Sequence, residues 1–307
     1  YRVSKILTGY LNEDNLIDAF LLCTGKGSDI NAGEFPILLF NNGSGFNVDS
    51  IQCWYPHFEG GALGDMDNDG NLDVFIANYQ PDIGQANTVW RNQNGLFSPT
   101  AQHLGQAESA AVALGDLNND GFIDIYFGGN SSDDKLYMNQ GDFKFKDISS
   151  NLGKENLKGW STGINFIDIN SDGLDDFYIG GAKGYSGKMY VQDLSGTFKE
   201  TNQELWEIDK NSEDMSSLFF DADADGDQDL YIVSGGYDFK VNSTLLQDRL
   251  YLNNGKGIYT KSLNALPQMH TSGGTVSTAD FDNDGDLDLF VGGRAVPGNY
   301  PKAPRSY

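Results

Sequence analysis

The amino-acid sequence predicts an all-β chain, a β-propeller of four-stranded blades, and three observations predict it. A nine-residue acidic loop recurs at intervals close to 50 residues. Each copy is preceded by small residues at alternate positions and followed by an apolar, β-branched and aromatic run. A second apolar stretch then ends in a tight turn rich in Gly and Asn. A unit that repeats at this period and reads as four short strands is a propeller blade.

Composition agrees. The 307 residues are 39% hydrophobic, below the usual range, yet include 38 glycines and 12% aromatics, which suits short strands and turns rather than long helices. Lys and Arg number 20 against 44 Asp and Glu, a formal charge of 20 − 44 = −24. That field disfavours nucleic acid and anionic membranes as partners. No stretch approaches the roughly 18 apolar residues of a membrane-spanning helix, so direct membrane insertion is not expected. No leader-like segment opens the chain, which reads as a mature or trimmed stretch. Cys23 and Cys53 fall on strands two places apart, about 9–10 Å at the usual strand spacing. That exceeds the reach of a disulfide and favours buried free thiols over a bridge near the strand ends.

The fullest loop runs from Asp280 to Asp288, with carboxylates at positions 1, 3, 5 and 9 and glycine at position 6. Alternating aspartates on one tight turn supply the oxygen ligands that a hard cation such as Ca²⁺ takes, and the glycine permits the positive φ that wraps the backbone around it. Other copies begin at Asp65, Asp116, Asp168 and Asp221, and a degenerate copy begins at Tyr10; the spacings are 55, 51, 52, 53 and 59 residues.

Each repeat reads alike. The residue five before the loop is Gly60, Ala111, Gly163, Ser216 or Thr275, small enough for an innermost strand A converging on an axis. Strand B follows the loop, as in Val74-Phe75-Ile76-Ala77 and Leu230-Tyr231-Ile232-Val233. Strand C and its hairpin come next, as in Lys135-Leu136-Tyr137-Met138-Asn139-Gln140-Gly141-Asp142-Phe143. EF-hands would need twelve-residue loops, a terminal Glu and flanking helices. Calcium-binding solenoid repeats would be far shorter than this period.

The loop pattern D-x-[DN]-x-D-G-x-x-D, with the L-Y-x-N-x-G-x-F hairpin behind it, resembles FG-GAP/VCBS repeats. The stretch from Gly292 to Ser306 is similar to cartilage-acidic-protein-type (ASPIC/UnbV-associated) members in particular. The resemblance implies an integrin-α-like propeller of seven blades, with a calcium loop between strands A and B. Five complete blades and part of a sixth are read in a single domain, 1–307: about 1–56, 57–106, 107–158, 159–212, 213–270 and 271–307.

Carried over loop by loop, the resemblance implies about five structural Ca²⁺ ions. Loop 2 would offer Asp65, Asp67, Asp69 and Asp73 with the Asn71 carbonyl, and loop 3 Asp116, Asn118, Asp120 and Asp124 with the Phe122 carbonyl. Loop 4 would offer Asp168, Asn170, Asp172 and Asp176 with Leu174; loop 5, Asp221, Asp223, Asp225 and Asp229 with Asp227; loop 6, Asp280, Asp282, Asp284 and Asp288 with Asp286. Asn118 and Asn170 each cost a charge, so loops 3 and 4 are expected to bind more weakly. Loop 1 lacks the first carboxylate and the glycine; Asn12, Asp14, Leu16 and Asp18 form at most a weak site, with Asn15 able to take the left-handed conformation. Calcium loops of this kind fill at extracellular concentrations, which points to a secreted or cell-surface location.

In a four-stranded blade the A–B and C–D turns share one end, so ligands are expected at the other. Trp54, Trp160 and Trp206 fall in D–A connections, and Tyr185, Tyr237, Arg294 and Tyr300 in B–C linkers. Exposed aromatics suit sugar stacking or a protein partner. Trp90 occupies the strand C position of Tyr137, Tyr190 and Tyr251 and reads as blade packing. His270, Glu59, Glu108 and Glu204 have no spacing that implies an acid/base pair, so no catalytic residues are assigned. The expected function is calcium-stabilised binding or adhesion through a glycan or protein ligand at a bacterial-type cell surface. The alternatives are a subunit of an outer-membrane uptake or secretion complex, and a polysaccharide-degrading enzyme.

Overall fold

A computed structural model describes residues 2–24, 35–51, 58–78, 86–105, 109–129, 133–152, 161–299 and 301–307. The chain forms two compact units, Tyr1–Lys158 and Gly159–Tyr307. Each is a series of antiparallel meanders, five four-stranded and one two-stranded among the described residues.

The first unit holds three blades. Blade 1 is β1 (Arg2–Gly9), β2 (Asp18–Thr24), β3 (Ile37–Asn41) and β4 (Phe46–Ser50). Blade 2 is β5 (Phe58–Gly64), β6 (Asp73–Asn78), β7 (Thr88–Gln93) and β8 (Leu96–His103). Blade 3 is β9 (Ser109–Gly115), β10 (Asp124–Gly129), β11 (Lys135–Asn139) and β12 (Phe145–Asp147). In the second unit, blade 4 is β13 (Ser161–Ile167), β14 (Asp176–Gly181), β15 (Lys188–Gln192) and β16 (Phe198–Thr201). A short helix, α1 (Gln203–Ile208), leads to blade 5: β17 (Glu213–Phe220), β18 (Asp229–Gly235), β19 (Arg249–Leu252) and β20 (Thr260–Ser262). Blade 6 contributes β21 (Ser272–Ala279) and β22 (Asp288–Ala295).

The order within each sheet follows the chain, so strands A to D are neighbours in sequence and in space. First strands of successive blades lie against one another, β1 with β5 and β5 with β9, and likewise β13 with β17 and β17 with β21. Small residues make this approach feasible: a Cβ on Gly61 would come within 2.8 Å of the Phe75 carbonyl and 2.7 Å of the Leu22 side chain. Asn165 in β13 donates to the Ser217 carbonyl of β17 at 2.9 Å.

The cores lie between blades. Strand B is apolar on both faces because both faces are covered. Val74 and Ile76 pack with Leu7, Phe20 and Leu22 of blade 1, while Phe75 and Ala77 pack with Ile125, Phe127 and Tyr137 of blade 3. Blade 5 repeats the split: Leu230 and Ile232 face Tyr178 and Met189 of blade 4, and Tyr231 and Val233 face Val291 of blade 6. Trp90 packs in the core between blades 1 and 2, as expected from its register.

In blade 6, Tyr307 exchanges two backbone hydrogen bonds with Val291, at 2.8 and 3.0 Å. That is the pairing the first strand C residue makes elsewhere, as Ile232 with Arg249 and Ile179 with Lys188. Cys23 is buried with a free thiol; Cys53 lies outside the described residues.

Candidate functional site

The six loops connect strand A to strand B and share one end of the blades with the C–D hairpins. Their conformation is set locally. The position-6 glycines Gly70, Gly121, Gly173, Gly226 and Gly285 all have φ between 85° and 97°, and Asn15 takes φ 60° at the same position of loop 1. The glycines turn the backbone so that its N–H groups point inward at the first carboxylate. Asp65, Asp116, Asp168, Asp221 and Asp280 each accept from the amides of positions 5 and 6, at 2.8–3.1 Å. Position 5 in turn accepts from the amide of position 7 at 2.9–3.1 Å.

Position 9 does something else. Asp18, Asp73, Asp124, Asp176 and Asp229 open strand B and are fully buried. One oxygen of each accepts from the position-2 amide of its own loop, the other from the amide closing strand C, at 2.7–3.2 Å. The carboxylate therefore pins loop, strand B and strand C together. Burial pushes Asp73, Asp124 and Asp176 up to about 7 even though the backbone donors pull the other way. Asp288 of blade 6 keeps only the loop bond, from Phe281, and is exposed.

Two further parts of the loop escape a reading based on ligand spacing. The position-2 side chain is a plug: Leu11, Met66 and Ile169 are buried among the side chains of the next blade. The Asn that ends strand C is a bridge. Asn92, Asn139 and Asn253 each donate to a carbonyl of their own loop and to the position-2 carbonyl of the preceding loop, at 2.8–3.2 Å. The apolar character of position 2 and the Asn of the hairpin motif were both visible in the sequence.

The donor set fits a hard divalent cation. Ligand atoms of Asp65, Asp67 and Asp73, of Asp221, Asp223 and Asp225, and of Asp280, Asp282 and Asp288 lie within 4.8 Å of one another. When bound, such an ion supplies charge neutralisation and favours the ionised carboxylates. Loop 1 differs: with Tyr10 at position 1, the Asp14 amide bonds to Asn12 Oδ1 and the Leu16 amide to Asp14 Oδ1. Loop 2 differs in another way, since Arg91 of strand C reaches Asp67 and Asp69, each at 2.9 Å.

A family model described as an FG-GAP-like repeat matches residues 65–127, 116–179, 168–232 and 221–291. Each match starts at one acidic loop and runs through strand B of the next blade. The chain belongs to the FG-GAP-like repeat family. Cartilage acidic protein 1 of Xenopus tropicalis is 24% identical to this FG-GAP-like chain over 243 residues. The alignment covers 74% of the chain and 37% of that relative, so the chain spans well under half of the relative's length. Among solved structures, the BP39L lectin of Burkholderia pseudomallei aligns over 100% of this chain and 85% of its own, with TM-score 0.62 and 11% identity. The V. cholerae biofilm matrix protein Bap1 aligns over 91% and 42%, with TM-score 0.53 and 15% identity. Rhamnogalacturonan lyase YesW aligns over 94% and 55%, with TM-score 0.52 and 13% identity. At these identities the likeness establishes the propeller fold, which a lectin and a lyase share.

The remaining sequence-predicted residues were expected at the opposite end of the blades. Trp54, Trp160 and Tyr300 lie outside the described residues. Trp206 is 2% exposed, correcting its assignment to the ligand face. It sits on α1, which folds the indole inward against Tyr178 and Tyr251 at centroid distances of 5.3 and 4.9 Å. Tyr185 and Tyr237 are exposed. Near them in the second unit, Lys183 Nζ lies 4.7 Å from the Phe239 ring centroid and donates to the Asp238 carbonyl at 3.2 Å. Arg294 donates to Met215 Sδ at 3.2 Å. Half-buried Glu213 stands in the field of Arg294 and Lys183; burial raises its carboxyl above the usual range, and the two cations oppose the shift. Glu213 has no motif around it, and only the fold brings it beside Lys183 and Arg294.

Proposed function

We propose that this chain is a calcium-stapled propeller module of the extracellular space that captures a carbohydrate or protein ligand at the end opposite its acidic loops. The observation that carries the reading is the grouping of Lys183, Glu213, Phe239 and Arg294 beside the exposed Tyr185 and Tyr237. Aromatic faces next to charged hydrogen-bonding groups suit a sugar or a polar protein surface. The loops take the complementary role of holding each blade. Five loops with Ca²⁺-type donor sets and a charge of −24 favour a calcium-rich, extracellular setting. The relationship to cartilage acidic protein 1 and the fold shared with a biofilm matrix protein support that setting.

Binding to a panel of polysaccharides and matrix proteins, with Ca²⁺ present, tests the ligand end. Tyr185→Ala and Tyr237→Ala are expected to weaken binding tenfold or more with unchanged melting temperature; variants that bind like the parent would sink the assignment. Chelation tests the loop end and is expected to lower the melting temperature by at least about 5 °C, given the usual conversion of ligand binding into stability. An unchanged melt in EDTA would overturn the calcium reading. Glu213, with its raised carboxyl, gives one second reading some support: polysaccharide cleavage, on a fold that a lyase also uses. Release of product from a bound polysaccharide, abolished in Glu213→Gln, would replace capture with catalysis.

A further inference from the structure

At positions 1, 3, 5 and 9 loop 2 matches loops 5 and 6, aspartate at each; at position 7, which offers its carbonyl, it has Asn71 where they have Asp227 and Asp286. Its surroundings set it apart. Arg91 lies in β7, one residue before the Asn92 amide that bonds Asp73. The same register position is Phe40 in blade 1, Met138 in blade 3, Val191 in blade 4 and Leu252 in blade 5, each one residue before the amide that bonds the position-9 aspartate. Only Arg91 among these five can extend a charge into its loop. Its Nη2 lies 2.9 Å from Asp67 Oδ2 and 2.9 Å from Asp69 Oδ2. The Asp67 side chain is 7% exposed, and its Oδ1 is buried without a partner. Loop 2 is therefore a cation site in which one charge comes from the protein.

We infer that Arg91 is a built-in counter-cation of loop 2, so that this loop takes up Ca²⁺ at higher concentration than loops 5 and 6 despite the same four aspartates. The charge arithmetic supports the ranking. Four ligand-position aspartates and one arginine leave loop 2 at −4 + 1 = −3, level with the three aspartates at the ligand positions of loop 3 or loop 4. An entering ion must also displace the charge-assisted hydrogen bond of Arg91 to Asp69 and its ion pair with Asp67, and the guanidinium it expels stays tethered nearby as a like charge. The same tether lets loop 2 keep its shape when calcium is scarce. The inference rests on the calcium reading of the loops and adds that their affinities are unequal for a reason sited in strand C.

The loop glycines provide one reporter per site. In a Ca²⁺ titration of the 307-residue chain followed by amide NMR, Gly70 reports loop 2, Gly226 loop 5 and Gly285 loop 6. In the parent chain Gly70 is expected to respond at severalfold higher Ca²⁺ than Gly226 and Gly285. Arg91→Met, which copies the residue of blade 3, is expected to move the Gly70 midpoint at least tenfold lower and leave the others in place. Leu252→Arg, the reciprocal change, is expected to move the Gly226 midpoint at least tenfold higher. Gly70 titrating together with Gly226 and Gly285, or unmoved in Arg91→Met, would overturn the inference while leaving the calcium reading intact. No response at any of the three glycines would overturn both. If Arg91→Met does not fold, Arg91→Leu and Leu252→Arg decide the matter by the same midpoints.

Discussion

The two ends of the blades are built on opposite principles. At the loop end the same atoms do the same work in each complete blade: a buried position-9 aspartate joins loop, strand B and strand C in blades 1 to 5. At the other end the blades diverge: blades 3 and 5 share one arrangement, and blades 2 and 4 depart from it. Tyr126 of strand B donates to Asp134 at 2.7 Å in blade 3, and Tyr231 to Asp248 at 2.8 Å in blade 5. Blade 4 has Gly187 at the acid position, and Tyr178 reaches Asp214 of the next blade at 3.0 Å instead. Asp214 also forms a buried pair with Arg249. Blade 2 has Phe75 and Asn87 in the two places. Repetition marks the end that holds the blades, and variation marks the end that is free to acquire a ligand.

The largest test of this contrast is Asp124→Ala. It removes both acceptors from the buried amides of Leu117 and Asn139. At roughly 1–3 kcal/mol for each orphaned donor, the cost should reach about 3–5 kcal/mol in urea unfolding. Asp288→Ala in blade 6, where the carboxylate is exposed and holds one amide, should cost less than about 1 kcal/mol without calcium. Equal losses would mean that the position-9 aspartate acts through metal alone.

Loop 1 already argues against that equality. It lacks the position-1 carboxylate and the glycine, yet Asp18 still bonds Leu11 and Asn41 at 3.1 and 2.8 Å. Stapling does not require the full set of candidate cation ligands. The sequence made the loops and their candidate cation ligands legible, because alternating aspartates with a glycine at position 6 form a local pattern. Strand positions were legible for the same reason, through small residues, apolar runs and turn residues. What stayed hidden depends on register between distant segments. Arg91 is 22 residues beyond Asp69 and meets it only because strand C pairs with strand B. Trp206 was misassigned because a connection expected to be open forms a helix that turns the indole into the core between blades 4 and 5. Glu213 joins Lys183 and Arg294 from three separate elements, a placement that residue spacing does not encode.

A second test exchanges one blade's solution for another's. Tyr231→Phe with Asp248→Asn gives blade 5 the pair that blade 2 carries. Burial pushes Asp248 up to about 6, above its value in an unfolded chain. Between about pH 4 and pH 6 the unfolded chain gives up this proton before the folded one does, so the parent loses stability as pH rises through that window. The loss amounts to roughly 3 kcal/mol and should be absent from the double variant. At constant Ca²⁺, the parent-minus-variant stability should therefore fall across the window and be flat above it. A difference that stays level from pH 4 to pH 7 would show that the Tyr231–Asp248 lock is not an ionisable one.

The smallest effect returns to the loops and asks how uniform they are. Position 4 takes positive φ in loops 2 to 6, at Asn68, Asn119, Ser171, Ala224 and Asn283, with φ between 56° and 62°. Asn tolerates this conformation through its short polar side chain, whereas a Cβ without such compensation costs about 1–2 kcal/mol in the left-handed region. Loop 5 holds Ala224 there at φ 61°, the least suited residue of the five. Ala224→Asn should therefore stabilise the protein by about 1 kcal/mol, and Ala224→Gly by less, because glycine gives back part of the gain as unfolded-state entropy. Both gains should be present with and without calcium, since neither variant touches a ligand. A gain confined to the calcium-bound protein would mean that the ion, rather than the glycine and the inward amides, imposes the turn.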